Sequence, residues 1–178
     1  MSGQVEVPPV LIIISIISLE DKLKEIARIL LESRFGKAEL ESSLYPFDLS
    51  DYYEKEMGYF LSRRWFCFSK LRDASELAEW KYFCESIELD FLDKKGNRKV
   101  NIDPGYLDYC KLVLASYKSA PDKIYMGRGV WAHTCLRYGH GSFLAPDHSF
   151  PDFKDGRFND FMLEARRLYR KMLREITD

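Results

Sequence analysis

Val10 to Ile17 is a long apolar run interrupted only by Ser15, preceded by Pro8 and Pro9 and followed by Ser18-Leu19-Glu20-Asp21. Near-continuous hydrophobicity between a breaker and a helix start predicts a strand buried on both faces. A bilayer span takes about 20 apolar residues, and a signal peptide opens with basic residues, whereas no Lys or Arg precedes Val10. From Ser18 onward the period changes. Ser18-Leu19-Glu20-Asp21 has the form of a capping box, Leu23, Ile26, Ala27, Leu30 and Leu31 fall on one helical face, and Gly36 supplies the stop. Ala38 to Phe47 then alternates two-fold, with Ala38, Leu40, Ser42 and Leu44 opposite Glu39, Glu41 and Ser43, which predicts a strand with one wet side. Tyr59 to Ser69 predicts a second strand, dense in aromatics, with Arg63 and Arg64 at its middle.

Asp73 with Glu76 is a further cap signal, and Leu77, Trp80, Cys84, Ile87 and Phe91 continue at helical spacing until Lys94-Lys95-Gly96. Arg98 to Ile102 predicts a short strand, so the first hundred residues run β-α-β-β-α-β, the order of ferredoxin-like domains. Lys111 to Lys118, Lys123 to Met126, Val130 to Tyr138 and Ser142 to Ala145 predict a β-meander. Gly127-Arg128-Gly129 and Gly139-His140-Gly141 lie where hairpin turns need positive φ. A C-terminal helix follows, its stripe formed by Phe158, Phe161, Met162, Ala165, Leu168, Tyr169, Met172 and Ile176. With no linker, repeat or low-complexity tract, residues 1–178 read as one α+β domain with a largely antiparallel sheet.

Composition narrows the function classes. Lys plus Arg number 27 and Asp plus Glu 28, for a formal charge of −1, which gives no clear nucleic-acid signal and no membrane-surface footprint. The charge is unevenly distributed. Glu39, Glu41, Asp48, Asp51 and Glu54 lie in a stretch without Lys or Arg, while Arg166, Arg167, Arg170, Lys171 and Arg174 line the polar face of the last helix. Such runs read first as solvated or internally paired faces. Cys67, Cys84, Cys110 and Cys135 form no C-x-x-C pair and read as buried free thiols of a reducing, cytoplasmic compartment.

Two segments stand out as candidate chemistry. Residues 45–58 join two strands through aromatics and carboxylates, with Asp48, Asp51, Tyr52 and Glu54 available to a ligand on a rigid sheet. Asn101-Ile102-Asp103-Pro104-Gly105-Tyr106 reads as a helix-starting turn, Asp103 its N-cap, Pro104 its first residue and Gly105 admitting close approach to backbone N–H groups. Gly127-Arg128-Gly129-Val130-Trp131-Ala132 satisfies G-x-G-x-x-A, but the alternation after it predicts a strand where a dinucleotide site needs a helix. No P-loop exists, because Gly36-Lys37 is followed by Ala38 and lacks the upstream glycine. His133 and Cys135 share a strand face without a third metal ligand, and no serine sits in a nucleophile elbow.

Tyr45-Pro46-Phe47-Asp48, Asp51-Tyr52-Tyr53, Glu56-Met57-Gly58, Asn101-Ile102-Asp103-Pro104-Gly105-Tyr106, Leu112-Val113-Leu114-Ala115, Ile124-Tyr125 and Pro151-Asp152-Phe153 together resemble an uncharacterised prokaryotic family, domain of unknown function 4416. The Asp-Pro-Gly motif is the signature of that resemblance, which spans nearly the whole chain. The resemblance implies no activity, substrate or cofactor; some members carry a GTP-binding label, for which this chain has no Walker-type loop. It departs from the family pattern at Asp122-Lys123, where a His-Arg pair is usual, and at His133, where an acid is usual. Two functions are therefore expected in competition. One is a small-ligand binding or regulatory module for an anion or phosphorylated metabolite. Its pocket joins segment 45–58 to Asp103, Gly105 and Tyr106, with Arg63, Arg64 and Lys111 as anion partners. The other is a metal-assisted hydrolase or transferase acting on a phosphorylated small molecule, with Asp48, Asp51, Glu54 and Asp103 as ligands or general base.

Overall fold

The computed structural model describes residue 3 and residues 6–177. In chain order the elements are β1 (Val10–Ser18), α1 (Asp21–Phe35), β2 (Ala38–Glu41), β3 (Tyr45–Pro46), α2 (Glu54–Met57), β4 (Ser62–Arg72) and, after a 3₁₀ turn, α3 (Leu77–Leu89). There follow β5 (Val100–Leu107), β6 (Lys111–Ser116), β7 (Ile124–Gly127), β8 (Val130–Gly139), β9 (Ser142–Leu144), α4 (Pro151–Lys154) and α5 (Asn159–Thr177).

The isoleucine run forms β1, antiparallel to β4 on one side and β5 on the other, and buried throughout. Its even positions, Ile12, Ile14 and Ile16, pack with Phe66, Phe68 and Ile102 beneath Ala27, Leu31 and Phe35 of α1 and Trp80, Cys84 and Ile87 of α3. Its odd positions, Leu11 and Ile13, join Trp65, Cys67, Leu107 and Leu114 beneath Phe153, Phe158 and the Phe161, Met162, Ala165 and Tyr169 stripe of α5. Helices thus cover both faces, so the central strand has no polar side to alternate with. The strand order is β2-β4-β1-β5-β6-β8-β7, with β3 on β4 and β9 on β8. Its first four strands, antiparallel throughout, form the split β-α-β arrangement of ferredoxin-like domains. In the second half β6 pairs with β8, and β7 forms the outer edge.

Several local features differ from the sequence pattern. On α1 the inward face is Lys24, Ala27, Leu31 and Phe35, while Ile26 and Leu30 are exposed. Lys24 occupies a core position because its ammonium reaches Asp21 at 2.9 Å and Ser62 Oγ at 2.7 Å while its stem stays buried. The capping box does not form, because the Ser18 hydroxyl accepts from Glu20 N and donates to the Lys99 carbonyl. The strand expected from Ala38 to Phe47 breaks after Glu41, and the Ser42 hydroxyl accepts the Trp65 N–H at 3.0 Å. Phe60, at φ 61°, delays β4 to Ser62. Helix α3 ends at Leu89, and Lys94-Lys95-Gly96 belongs to a turn closed by the Asp93 carboxylate on the N–H groups of Lys95 and Asn97. Cys67, Cys84 and Cys135 are buried free thiols, whereas Cys110 is exposed in the β5–β6 turn.

The largest correction concerns Asp103-Pro104-Gly105, which starts no helix and lies inside β5. Strand β5 pairs with β1 from Val100 to Leu107 but with β6 only from Gly105 to Leu107. Successive residues of a strand point their main-chain groups to opposite sides. Ile102 bonds away from β1, its N–H donating to Glu88 Oε1 at 2.5 Å and its carbonyl accepting from Lys81 Nζ at 3.1 Å. Pro104, two residues on, faces the same way, so its missing N–H removes no bond to β1. Gly105 is required for another reason: a Cβ there would lie 2.2 Å from the Val113 carbonyl oxygen and 2.5 Å from Leu114 Cδ2. Gly105→Ala is therefore expected to cost about 3 kcal/mol by forcing β5 and β6 apart. Gly139→Ala, whose added carbon meets nothing within 4 Å, should stay within about 1 kcal/mol of the parent in urea denaturation.

Candidate functional site

Where β5 and β6 part, on the face that carries α4 and α5, a cavity of about 310 Å³ opens. Asp103 of β5 and Leu114, Ala115 and Ser116 of β6 line the fork itself. Phe47, Ser50, Tyr52 and Tyr53, between β3 and α2, make the outer wall, and Phe150, Pro151 and Asp152 at the start of α4 make another. Arg63 of β4 and His133 of β8 are buried floor residues, while Lys118 and Tyr52 are exposed at the mouth. The outer wall is pinned from α5's side of the fold, because Arg157 donates to the Pro46 carbonyl at 2.7 Å and to Asp48 at 2.9 Å.

Arg63 is 5% exposed and its charge is answered by Asp152, also 5% exposed, with Nη2 and Oδ2 2.9 Å apart. Phe47, Trp65, Phe153 and Phe158 surround the guanidinium at 5.2–5.6 Å from its carbon to the ring centroids. The charge contact is made without an aligned hydrogen bond, and Arg63 Nε and Nη1 have no partner at all. Burial pushes the Asp152 carboxyl above the usual range, against the opposing pull of Arg63. Among the described residues, buried side-chain nitrogens and oxygens without a hydrogen-bond partner belong to Ser15, Arg63, Trp65, His133 and Asp152. Three of these line the cavity. The other two are its neighbours in the sheet, since Ser15 pairs with both Trp65 and Asp103. Each such atom costs roughly 1–3 kcal/mol when left unsatisfied, so this end of the sheet concentrates the unmet polarity of the core.

Asp103 accepts from Asn101 Nδ2 at 2.8 Å, and Lys81 Nζ lies 3.6 Å from its other oxygen. Asn101 in turn accepts from Arg98, which clamps Glu56 of α2 through two bonds at 2.7 and 2.8 Å and reaches Glu88 at 3.2 Å. That chain of charges fastens α2, and with it the outer wall, to the open edge of β5. Burial, with Asp103 nearby, raises the Tyr53 hydroxyl, which stays protonated. His133 is held at about 4 by burial first and by Lys123 and His148 second, so its ring is neutral.

Of the residues singled out from sequence, Tyr52 and Asp103 share this cavity with Arg63. Asp48 is exposed on Arg157, Asp51 is exposed, and Glu54 opens α2. Arg64 turns to the opposite face of the sheet from Arg63 and pairs with Glu25 and Glu41. Gly105 is buried between β1 and β6, and Lys111 bonds Asp108 beside the Tyr106 ring. Asp48, Asp51, Glu54 and Asp103 therefore do not converge, and among the described residues no group of three or more His, Cys, Asp or Glu is placed to hold a metal ion. Asp152, Lys118 and Phe150 enter the site without having been singled out as ligand partners, and His133, weighed from sequence only as a metal ligand beside Cys135, lines it as well. The one local signal was an acid, Asp152, set in the apolar stretch Phe150-Pro151-Asp152-Phe153.

The depressed His133 value makes a signed prediction. Between its ordinary 6.5 and about 4, the unfolded chain takes up a proton that the folded chain refuses, so stability falls as pH falls through that window. The loss approaches about 3 kcal/mol at its lower end. In urea denaturation at pH 7 and pH 4.5, His133→Gln should lose less stability between the two than the parent does. An equal loss would show that His133 takes no part in it.

The chain matches a family model described as Domain of unknown function (DUF4416) over residues 8–169. No curated protein and no solved structure matches it. Among the described residues no helix is long and apolar enough to cross a membrane. The match takes in β1 through most of α5, and with them the fork and every wall of the cavity, so the chain belongs to the DUF4416 family.

Proposed function

We propose that this protein is a small-ligand binding or regulatory module whose ligand is an anion held in the cavity at the β5–β6 fork. The observation that carries the reading is Arg63, a buried residue of the cavity lining two of whose nitrogens have no hydrogen-bond partner. A buried guanidinium presents five N–H donors and no acceptor, so what its surroundings lack is oxygen. An anionic ligand brings acceptors and negative charge into a cavity lined by two cations, Arg63 with unmet donors and Lys118 with no carboxylate partner among the described residues. The two acids of the cavity do not cancel this preference. Asp103 is already engaged by Asn101 and stands beside Lys81, and Asp152 meets Arg63 only at Nη2, leaving Nε and Nη1 without an acceptor. The volume suits a small molecule, since ligand cavities run from about 300 to 1,000 Å³. Because Arg63 Nε and Nη1 are sealed from solvent, entry requires the Phe47–Tyr53 wall to yield locally.

Thermal melting against a panel of small carboxylates and phosphorylated compounds tests the reading. A ligand at 100 times its Kd adds about 2.7 kcal/mol, a rise of roughly 5–10 °C for a chain of this size. The double variant Arg63→Met/Asp152→Asn removes both charges together, so that neither is left buried alone, and should abolish the rise. A panel without any stabilising compound, or a rise that survives in the double variant, would overturn the proposal.

A further inference from the structure

Resting on the reading of the cavity as an anion site, we infer that its ligand is an aromatic anion, with its ring against the wall of Phe47, Tyr53 and Phe150 and its anionic group at Lys118. The first support is the composition of the walls. Phe47 and Tyr53 pack with centroids 5.6 Å apart, Tyr52 stands edge-on to Tyr53 at 4.8 Å, and Phe150 lies edge-on to His133 at 4.8 Å. Aromatic side chains from two separate segments of the chain thus face one cavity. Offset and edge-to-face geometry is what a further planar ring joins most favourably. A bare tetrahedral anion would leave most of a space of about 310 Å³ unfilled.

Lys118 supplies the second support. Its ammonium lies 3.3 Å from the centroid of the Tyr52 ring, at the exposed mouth, and no carboxylate pairs with it among the described residues. The neighbouring cation does not compete for the same role, because Lys123 Nζ is bound to Ser116 Oγ and to the Lys118 carbonyl, both at 2.9 Å. A lysine resting on an exposed ring is held weakly and carries a compact, mobile charge. Anion binding exchanges that ring contact for an ion pair and leaves Tyr52 free to cover the ligand. At the deep end Arg63 is then met through water, and the mouth reads the charge.

Isothermal titration with phenyl phosphate, glycerol phosphate, inorganic phosphate and phenol separates the parts of this inference. Phenyl phosphate should bind at least tenfold more tightly than glycerol phosphate or inorganic phosphate, and more tightly than phenol. Lys118→Met should weaken phenyl phosphate about tenfold while leaving phenol unchanged, a split that general damage to the fold would not produce. Equal affinities for phenyl and glycerol phosphate would overturn the aromatic part, and an unchanged phenyl phosphate affinity in Lys118→Met would overturn the assignment of the charge. If the non-aromatic phosphates bind, and lose binding in Arg63→Met/Asp152→Asn, the anion site stands while its aromatic class falls. If no phosphate binds, the aromatic anion falls too.

Discussion

The parting of β5 from β6 at Pro104 is the constraint on which the rest of the molecule turns. A proline offers no N–H to a ladder, and here it faces the side on which pairing has already ended. Beyond it, Ile102 would be left with two unsatisfied main-chain groups in a buried position. Lys81 and Glu88, seven residues apart on one face of α3, supply the donor and the acceptor that a neighbouring strand would have supplied. The sheet can therefore split without leaving buried peptide groups unmet, and the space opened between the strands is available for something else. Gly105 sits at the crotch of the fork, where the two strands come so close that a methyl group does not fit.

The same substitution of side chain for strand ties the site to the helix layer on the far side of the sheet. Glu88 serves Ile102 and also meets Arg98, and Arg98 holds Glu56 at the end of the wall that encloses the cavity. Lys81 serves Ile102 and stands beside Asp103. The position of the outer wall is consequently coupled to the packing of α3 through charge-assisted bonds, most of them partly buried and so little screened. At its other end the same wall is held by Arg157. The segment between these clamps carries Tyr52 and Tyr53, whose rings pack on each other and, for Tyr53, on Phe47.

Periodicity makes much of this architecture legible in the sequence. The isoleucine run, the Leu77-Trp80-Cys84-Ile87 face and the stripe of α5 each bury against a whole layer, so their pattern is repeated often enough to read from the chain. Strand alternation also separates Arg63 from Arg64, since adjacent strand residues point to opposite faces and only one of two neighbours can reach a given side of the sheet. Asp103-Pro104-Gly105 is illegible for a physical reason. Asp followed by Pro suits a helix start, and it equally suits the point at which a strand loses one partner, and the choice depends on β6 and α3, which are distant in sequence. Asp152 and His133 are hidden in the same way, because what marks them is a missing partner, and a missing partner is a property of the assembled core.

Whether such missing partners reflect function or mere imperfection is decided by the alternatives open to the sequence. The odd face of β1 is packed with Leu11, Ile13, Trp65 and Cys67, and apolar side chains at positions 63 and 152 would extend that cluster without a buried charge. Replacing a buried ion pair by apolar groups of similar size is often neutral or stabilising by about 1–4 kcal/mol. The fold thus has no evident structural need for Arg63 and Asp152, and it encloses Arg63 within four aromatic rings while leaving two of its nitrogens unbonded. The edge-satisfying charges of Lys81 and Glu88 and the wall-pinning charges of Arg98 and Arg157 all have partners that account for them. At the floor of the cavity Arg63 Nε and Nη1 have no such partner, and theirs is the deficit that the proposed anion would answer.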